Sequence, residues 1–306
     1  MIEEEADLME ETDYQRLYND GIVALSAGKF QQASMSFTTC YSIKANFRTN
    51  YLLFLALTGQ GQFSDAFLLA QKYLRDYVTD NERFEQLLST GAQAKKFVEI
   101  RKLYLAVSAY MSDKEKRYFL ELINQLEREF VSSKPKIYKS LKKKVIYCGA
   151  CDLFEQRSVL NMAKSLPFAD YLEAAVFLLK DPNVHQLIKV NVLDDLRLLK
   201  ISDNYDFYFL DHNFYQVSPS TLHAFAASKL YNRFENSFLQ KGEDGLGKER
   251  WAELRLKLSL LYPFEIDLVS FSSRWQHILL YEKEFLSVSD QKWADRLESS
   301  IAAWNV

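Results

Sequence analysis

Apolar residues recur along this chain at spacings of three and four, which places them on one flank of an α-helix. Residues 14 to 25 carry Tyr14, Leu17, Tyr18, Gly21, Ala24 and Leu25 on such a flank, and a helix over residues 30 to 45 would bury Ala33, Phe37, Cys40 and Tyr41. The next pair covers residues 48 to 58 and 63 to 77, with Tyr51, Phe54 and Leu57 followed by Ala66, Ala70 and Tyr73. The connections repeat as well. Gly28-Lys29-Phe30-Gln31-Gln32-Ala33 returns 33 residues later as Gly61-Gln62-Phe63-Ser64-Asp65-Ala66, and both read as the turn between two antiparallel helices. Small residues at Gly21, Ala33 and Ala66 would let such helices cross closely, while Phe30, Phe37 and Phe63 fill the flanking space.

The helical period continues to the end of the chain. Phe84, Leu87 and Leu88 mark one helix, and Phe97, Ile100, Leu103, Tyr104 and Val107 mark its partner. Tyr118, Leu122, Ile123, Leu126 and Phe130 form a further stripe. Pro135 suits the first turn of a helix whose apolar face holds Ile137, Leu141, Val145 and Cys148. Asp181 before Pro182 and Ser218 before Pro219 read as N-caps followed by proline at the first helical position. The predicted helices of the second half cover residues 152 to 164, 168 to 180, 183 to 200, 219 to 238, 248 to 261, 270 to 286 and 290 to 304. One stretch breaks the period: Tyr205 to Leu210 and Phe214 to Val217, separated by Asp211-His212-Asn213, are aromatic, short and turn-punctuated. They predict a β-hairpin, which would have to rest on neighbouring helices to be stable.

Leu17, Gly21, Gly28, Phe30, Ala33 and Phe37 in the first copy, with Gly61, Phe63, Ala66 and Tyr73 in the second, resemble the tetratricopeptide (TPR) repeat. The second copy departs from that pattern at Phe54, where the family prefers a small residue. The helix pairs of the second half are similar to HEAT repeats. Taken whole, TPR-like pairs running into HEAT-like pairs with an inserted hairpin resembles a group of uncharacterised bacterial TPR proteins, a likeness of arrangement that brings no activity with it. The fold expected is therefore all-α, a helical-repeat solenoid with one small inserted β-hairpin. The organisation expected is an acidic flexible arm over 1–13, TPR-like repeats over 14–150, and a HEAT-like region over 151–306 holding the hairpin near 205–217.

Composition agrees with a helical chain and narrows the function classes. Nine glycines and five prolines in 306 residues are few for a sheet-rich fold, and 22 Phe with 18 Tyr suit the gaps between many helix pairs. A net charge of −3 offers no global attraction to nucleic acid or to an anionic membrane. Residues 1 to 13 hold seven acids and no base, the mark of a solvated arm rather than a secretory leader. Three cysteines (Cys40, Cys148, Cys151) cannot build a disulfide framework, and no apolar run is long enough to span a bilayer. These features predict a cytoplasmic protein away from the membrane.

Candidate chemistry is sparse. Residues 242 to 249, Gly-Glu-Asp-Gly-Leu-Gly-Lys-Glu, satisfy the G-x-x-x-x-G-K part of a phosphate-binding loop, but Glu249 stands where Ser or Thr would hold Mg²⁺ and Asn232 to Gln240 reads as helix rather than strand. Cys148-Gly149-Ala150-Cys151 has redox spacing without a helix N-terminus to activate it, and reads as two small buried thiols. The four histidines are scattered, no metal site is expected, and no nucleophile elbow appears. Asp194 and Asp195 fall on different faces of a helix. Lys136, Lys139 and Lys143, within a stretch of six lysines and no acid, predict a basic strip suited to RNA, the ribosome or an acidic protein.

The TPR resemblance implies a concave groove lined by Gln15, Tyr18, Ile22, Arg48, Tyr51 and Leu55. The family's carboxylate clamp would need Lys and Asn where Tyr18, Ile22 and Leu55 stand, so an apolar groove for a helix or peptide is implied instead. The leading expectation is a non-catalytic protein-binding adaptor or scaffold without a cofactor, its protein or peptide partner unidentified. RNA or ribosome association through the lysine strip is the alternative. An enzyme using the 242 to 249 loop is the third.

Overall fold

The computed structural model describes residues 2–239, 245–268 and 273–304. These are mostly helical, with one two-stranded sheet, and form two compact units, Met1–Ser133 and Lys134–Val306. No described helix is long and apolar enough to cross a membrane.

The first unit is built from helix pairs in chain order: α1 (Ile2–Ser26) with α2 (Phe30–Ile43), then α3 (Phe47–Gly59) with α4 (Phe63–Ala70) and the short α5 (Leu74–Val78). They are followed by α6 (Asn81–Gln93) with α7 (Phe97–Val107), and by the long α8 (Asp113–Ser133). Each packs on its neighbours in sequence, and α6 also meets α4 and α8. The backbone is already helical across the acidic stretch, from Ile2. Gly28 and Gly61 sit at φ +70° and +76°, as the turns require, and the amides of Lys29 and Gln62 donate back to Ala24 O (2.8 Å) and Leu57 O (2.9 Å). That bond satisfies a carbonyl left open at a helix C-terminus. The same turn occurs a third time at Lys95 (φ 58°), where the Lys96 amide donates to Gly91 O at 2.8 Å. Between pairs, close approach is enforced at Gly91, where a Cβ would lie 2.4 Å from Ile100 Cγ2 and 2.7 Å from the Phe67 ring.

The helix expected over 63 to 77 is interrupted: α4 ends at Ala70, a 3-10 turn covers Gln71–Tyr73, and α5 resumes at Leu74. Beyond the break, the Tyr77 ring meets Phe54 edge-on at 5.2 Å and its hydroxyl donates to Asn50 Oδ1 at 2.9 Å. Asn50 in turn donates to Leu69 O at 3.1 Å. The large Phe54 is thus accommodated by an aromatic partner rather than by a small-residue crossing. Between α7 and α8, Arg101 binds Glu127 through two parallel hydrogen bonds of 2.7 and 2.8 Å, both residues being largely buried.

The second unit opens with α9 (Pro135–Ile146), α10 (Leu153–Ala163), α11 (Phe168–Lys180) and α12 (Gln186–Leu198). The hairpin of β1 (Tyr205–Tyr208) and β2 (Phe214–Val217) follows, antiparallel, with Tyr205 opposite Val217 and Tyr208 opposite Phe214. It rests on α11, burying Phe207, and Phe209 beyond its first strand is buried against Phe264. Helices α13 (Lys229–Leu239), α14 (Gly245–Leu261), α15 (Glu265–Leu268), α16 (Ser273–Leu280) and α17 (Val288–Trp304) complete the unit. α12 is buried along most of its length and packs on α10, α11 and α14.

Several boundaries differ from the sequence expectation. α12 begins at Gln186, with His185 rather than Asp181 as its cap: the Leu187 amide donates to His185 Nδ1 at 3.2 Å, while Asp181 accepts from the Asn183 amide in a turn. Ser218 and Pro219 open only a 3-10 turn, and Ser218 donates to Ser202 O instead of capping. The helix expected over 219 to 238 starts at Lys229. Leu222, Ala224 and Ser228 are extended, the Tyr262 hydroxyl donates to His223 O at 2.8 Å, and Ser228 Oγ accepts from the Tyr231 amide. Tertiary hydrogen bonds therefore outweigh local helix propensity there. α9 stops at Ile146, so Cys148 lies in a 3-10 turn rather than on the helix, and Ile137 is half exposed rather than on a buried face.

Candidate functional site

α1 and α3 carry the residues expected to line a groove. Gln15 and Arg48 are exposed, whereas Tyr18 is buried. Tyr18 stacks on Tyr14 at 5.9 Å, meets Phe37 edge-on at 6.1 Å, and is covered by the Arg48 guanidinium 5.0 Å from its ring centre. Ile22 packs into the same cluster. Tyr51 lies between Phe47 and Phe54, and its hydroxyl donates to Gln86 Oε1 at 2.7 Å, which ties α3 to α6. Aromatic bodies with polar tips are thus used up to join one helix to the next.

A cleft of about 480 Å³ lies between α3 and α6. Phe63 and Leu55 line it over the fully buried Phe54, together with Thr58, Ser89 and Gln93. Of the six expected groove residues, only Leu55 lines it. Glu82 and Glu85 stand on its rim, and no basic residue lines it. Glu85 accepts a hydrogen bond from Tyr118 at 2.6 Å, which fixes that carboxylate in place. The cleft therefore offers apolar burial beside two negative charges. The acidic α6 side was missed in the sequence because the TPR resemblance, and the groove positions it implies, end before the third helix pair.

In the second unit, Lys136, Lys139 and Lys143 are all exposed on α9, and none of them forms an ion pair among the described residues. Lys142, a turn away, is held by Asp170 and Glu173, both at 2.7 Å. Aromatic Tyr147 and Phe154 are exposed in the segments that follow. Cys148 is fully buried, and desolvation pushes its thiol up to about 12; Cys151 is partly exposed, its thiol also raised by partial burial. Neither thiol is activated toward the thiolate. In the 242 to 249 stretch, residues 242 to 244 lie outside the described residues, and the backbone is helical from Gly245 onward.

Two histidines that looked scattered in the sequence, His185 and His212, line one cavity of the second unit together with the buried Lys189. Nothing in the spacing of these residues signals it, since the hairpin and the C-terminal helix complete its walls. No group of three or more His, Cys, Asp or Glu residues is arranged to hold a metal ion among the described residues. No family model, no curated protein and no solved structure matches this chain.

Proposed function

We propose that the chain is a cytoplasmic, non-catalytic adaptor whose first unit, a short TPR-like array, binds a peptide or helix on the face formed by α1, α3 and α6. The observation that carries this reading is the α3–α6 cleft, with its apolar floor and its acidic rim of Glu82 and Glu85. Such a site suits a segment that presents one aliphatic or aromatic anchor flanked by Lys or Arg. The anchor is buried on Phe63 and Leu55, and the flanking cations pair with Glu82 and Glu85. The second unit, with HEAT-like helix pairs, acts in this reading as a scaffold.

Selection of displayed random peptides on the full chain tests the proposal. Enriched peptides are expected to share a large apolar residue beside basic ones, and to lose binding when Leu55→Arg places a charge in the cleft. Absence of any shared pattern, or enrichment that survives Leu55→Arg, would contradict it. A second reading, association with RNA through α9, is favoured by the unpaired Lys136, Lys139 and Lys143 next to exposed Tyr147. It requires binding that weakens steeply with salt and is lost when the three lysines become glutamate.

A further inference from the structure

The second unit holds a cavity of about 310 Å³ that the adaptor reading does not use. Its walls are the first turns of α12, the turn beyond β1, and Ser300 of α17. Lys189 is 1% exposed. Its ammonium donates to Tyr208 O at 3.0 Å and lies 4.7 Å from the Tyr208 ring centre. An ammonium carries three N–H donors, and among the described residues one acceptor meets them. No carboxylate stands within ion-pair distance among the described residues. Asp181, the one acid that acts on Lys189 from farther away, accepts from the Asn183 amide and lies against Gly149. Burial without a counterion pushes the Lys189 ammonium down to about 8.

A second donor in the same wall is orphaned. Gln186 is 6% exposed, lines the cavity, and its Nε2 has no hydrogen-bond partner. Buried donors in folded proteins are normally satisfied, so an amide without a partner and an ammonium with a single acceptor, both on residues of one lining, point to something that accepts from both. Two other polar side chains of the lining are committed. His185 Nδ1 accepts from the Leu187 amide, so Nε2 bears the proton and donates to Ser300 O at 3.0 Å. Gln156 donates to Cys151 O and Asn183 O and accepts from the His185 amide. No Asp or Glu lines the cavity, and Leu153, Val184, Phe209 and Leu210 supply apolar surface.

We infer that this cavity binds a small organic carboxylate, its head group accepting from Lys189 Nζ and Gln186 Nε2 and its apolar body lying against Leu153, Val184 and Phe209. The start of α12 adds the positive end of its helix dipole at the same place. A single full positive charge balances a monoanion. A phosphate dianion would bring a second negative charge to a site lined by one lysine and no arginine. The volume lies at the lower end of ligand cavities, which suits a ligand the size of benzoate.

Titration of the full chain with benzoate, benzamide or inorganic phosphate tests the inference. Benzoate at millimolar concentration is expected to raise the melting temperature, while the neutral amide and phosphate leave it unchanged. Lys189→Met should weaken benzoate binding by about tenfold or more, and Gln186→Leu should weaken it by a smaller factor. In the unmutated chain, benzoate should shift the titration midpoint of the Lys189 ε-carbon resonance to higher pH, a readout that needs no variant to fold. Equal binding of all three probes, tighter binding of phosphate, undiminished benzoate affinity in Lys189→Met, or an unmoved Lys189 resonance would each overturn it. The adaptor reading stands or falls separately, because Leu55→Arg leaves this cavity untouched.

Discussion

Positive-φ turns and buried charges are where single substitutions test the fold most directly. Gly61 and Lys95 occupy equivalent turns at positive φ, one with the residue that tolerates it and one without. A left-handed conformation costs an L-residue roughly 1–2 kcal/mol, of which the greater chain entropy of glycine cancels part. Gly61→Ala should therefore destabilise the first unit by about 1 kcal/mol and Lys95→Gly should stabilise it by a similar amount, read from urea unfolding. Glu127 neutralises Arg101 in a largely buried pair. Glu127→Leu strands that charge and should cost roughly 3–5 kcal/mol. Lys189 titrates lower in the folded chain than in the unfolded one, so the unfolded state holds more protons between pH 8 and 10.5. Its burial costs stability in full below pH 8, and that cost is relieved as pH rises through the window. Relative to Lys189→Met, which shares every other titrating group, the unmutated chain should gain up to about 3 kcal/mol across it.

At the scale of elements, the hairpin shows how far local pattern reaches. Its strands were legible from two short aromatic runs around Asp211-His212-Asn213, and its need for support from the principle that a lone hairpin is marginal. Phe207→Ala, at a fully buried position, should cost about 3–5 kcal/mol, while Phe214→Ala, at a half-exposed one, should stay within about 0.5 kcal/mol. Thermal unfolding of the two variants separates these outcomes. The turns at Gly28 and Gly61 were equally visible, because a positive φ leaves a glycine in the sequence. Lys95 makes the same turn and leaves none, so the third pair was read from its apolar spacing alone, its turn was not recognised as a repeat of the first two, and the acidic side of the cleft was not predicted. Local spacing also failed where distant partners decide the backbone. Tyr77 reaching Asn50 accompanies the break after Ala70, and Tyr262 holding His223 O accompanies the extended stretch before Lys229. The Lys189 cavity gathers residues from positions 153 to 300, a separation that no periodicity encodes.

At the scale of the molecule, the two units have their own cores, and 1–133 and 134–306 expressed separately should each melt cooperatively in a calorimeter. Failure of either to do so would mean that its core is completed by the other. The adaptor reading assigns them different tasks, peptide capture to the first and scaffolding to the second, and its weight rests on the charge of one cleft. Fluorescence anisotropy with two labelled peptides measures that charge directly, one placing lysines and the other aspartates on either side of the same aromatic anchor. The lysine peptide should bind the unmutated chain and the aspartate peptide should not, with the preference reversed in Glu82→Lys/Glu85→Lys. Equal binding of the two peptides, or a preference unchanged by the charge reversal, would contradict recognition through the α3–α6 cleft.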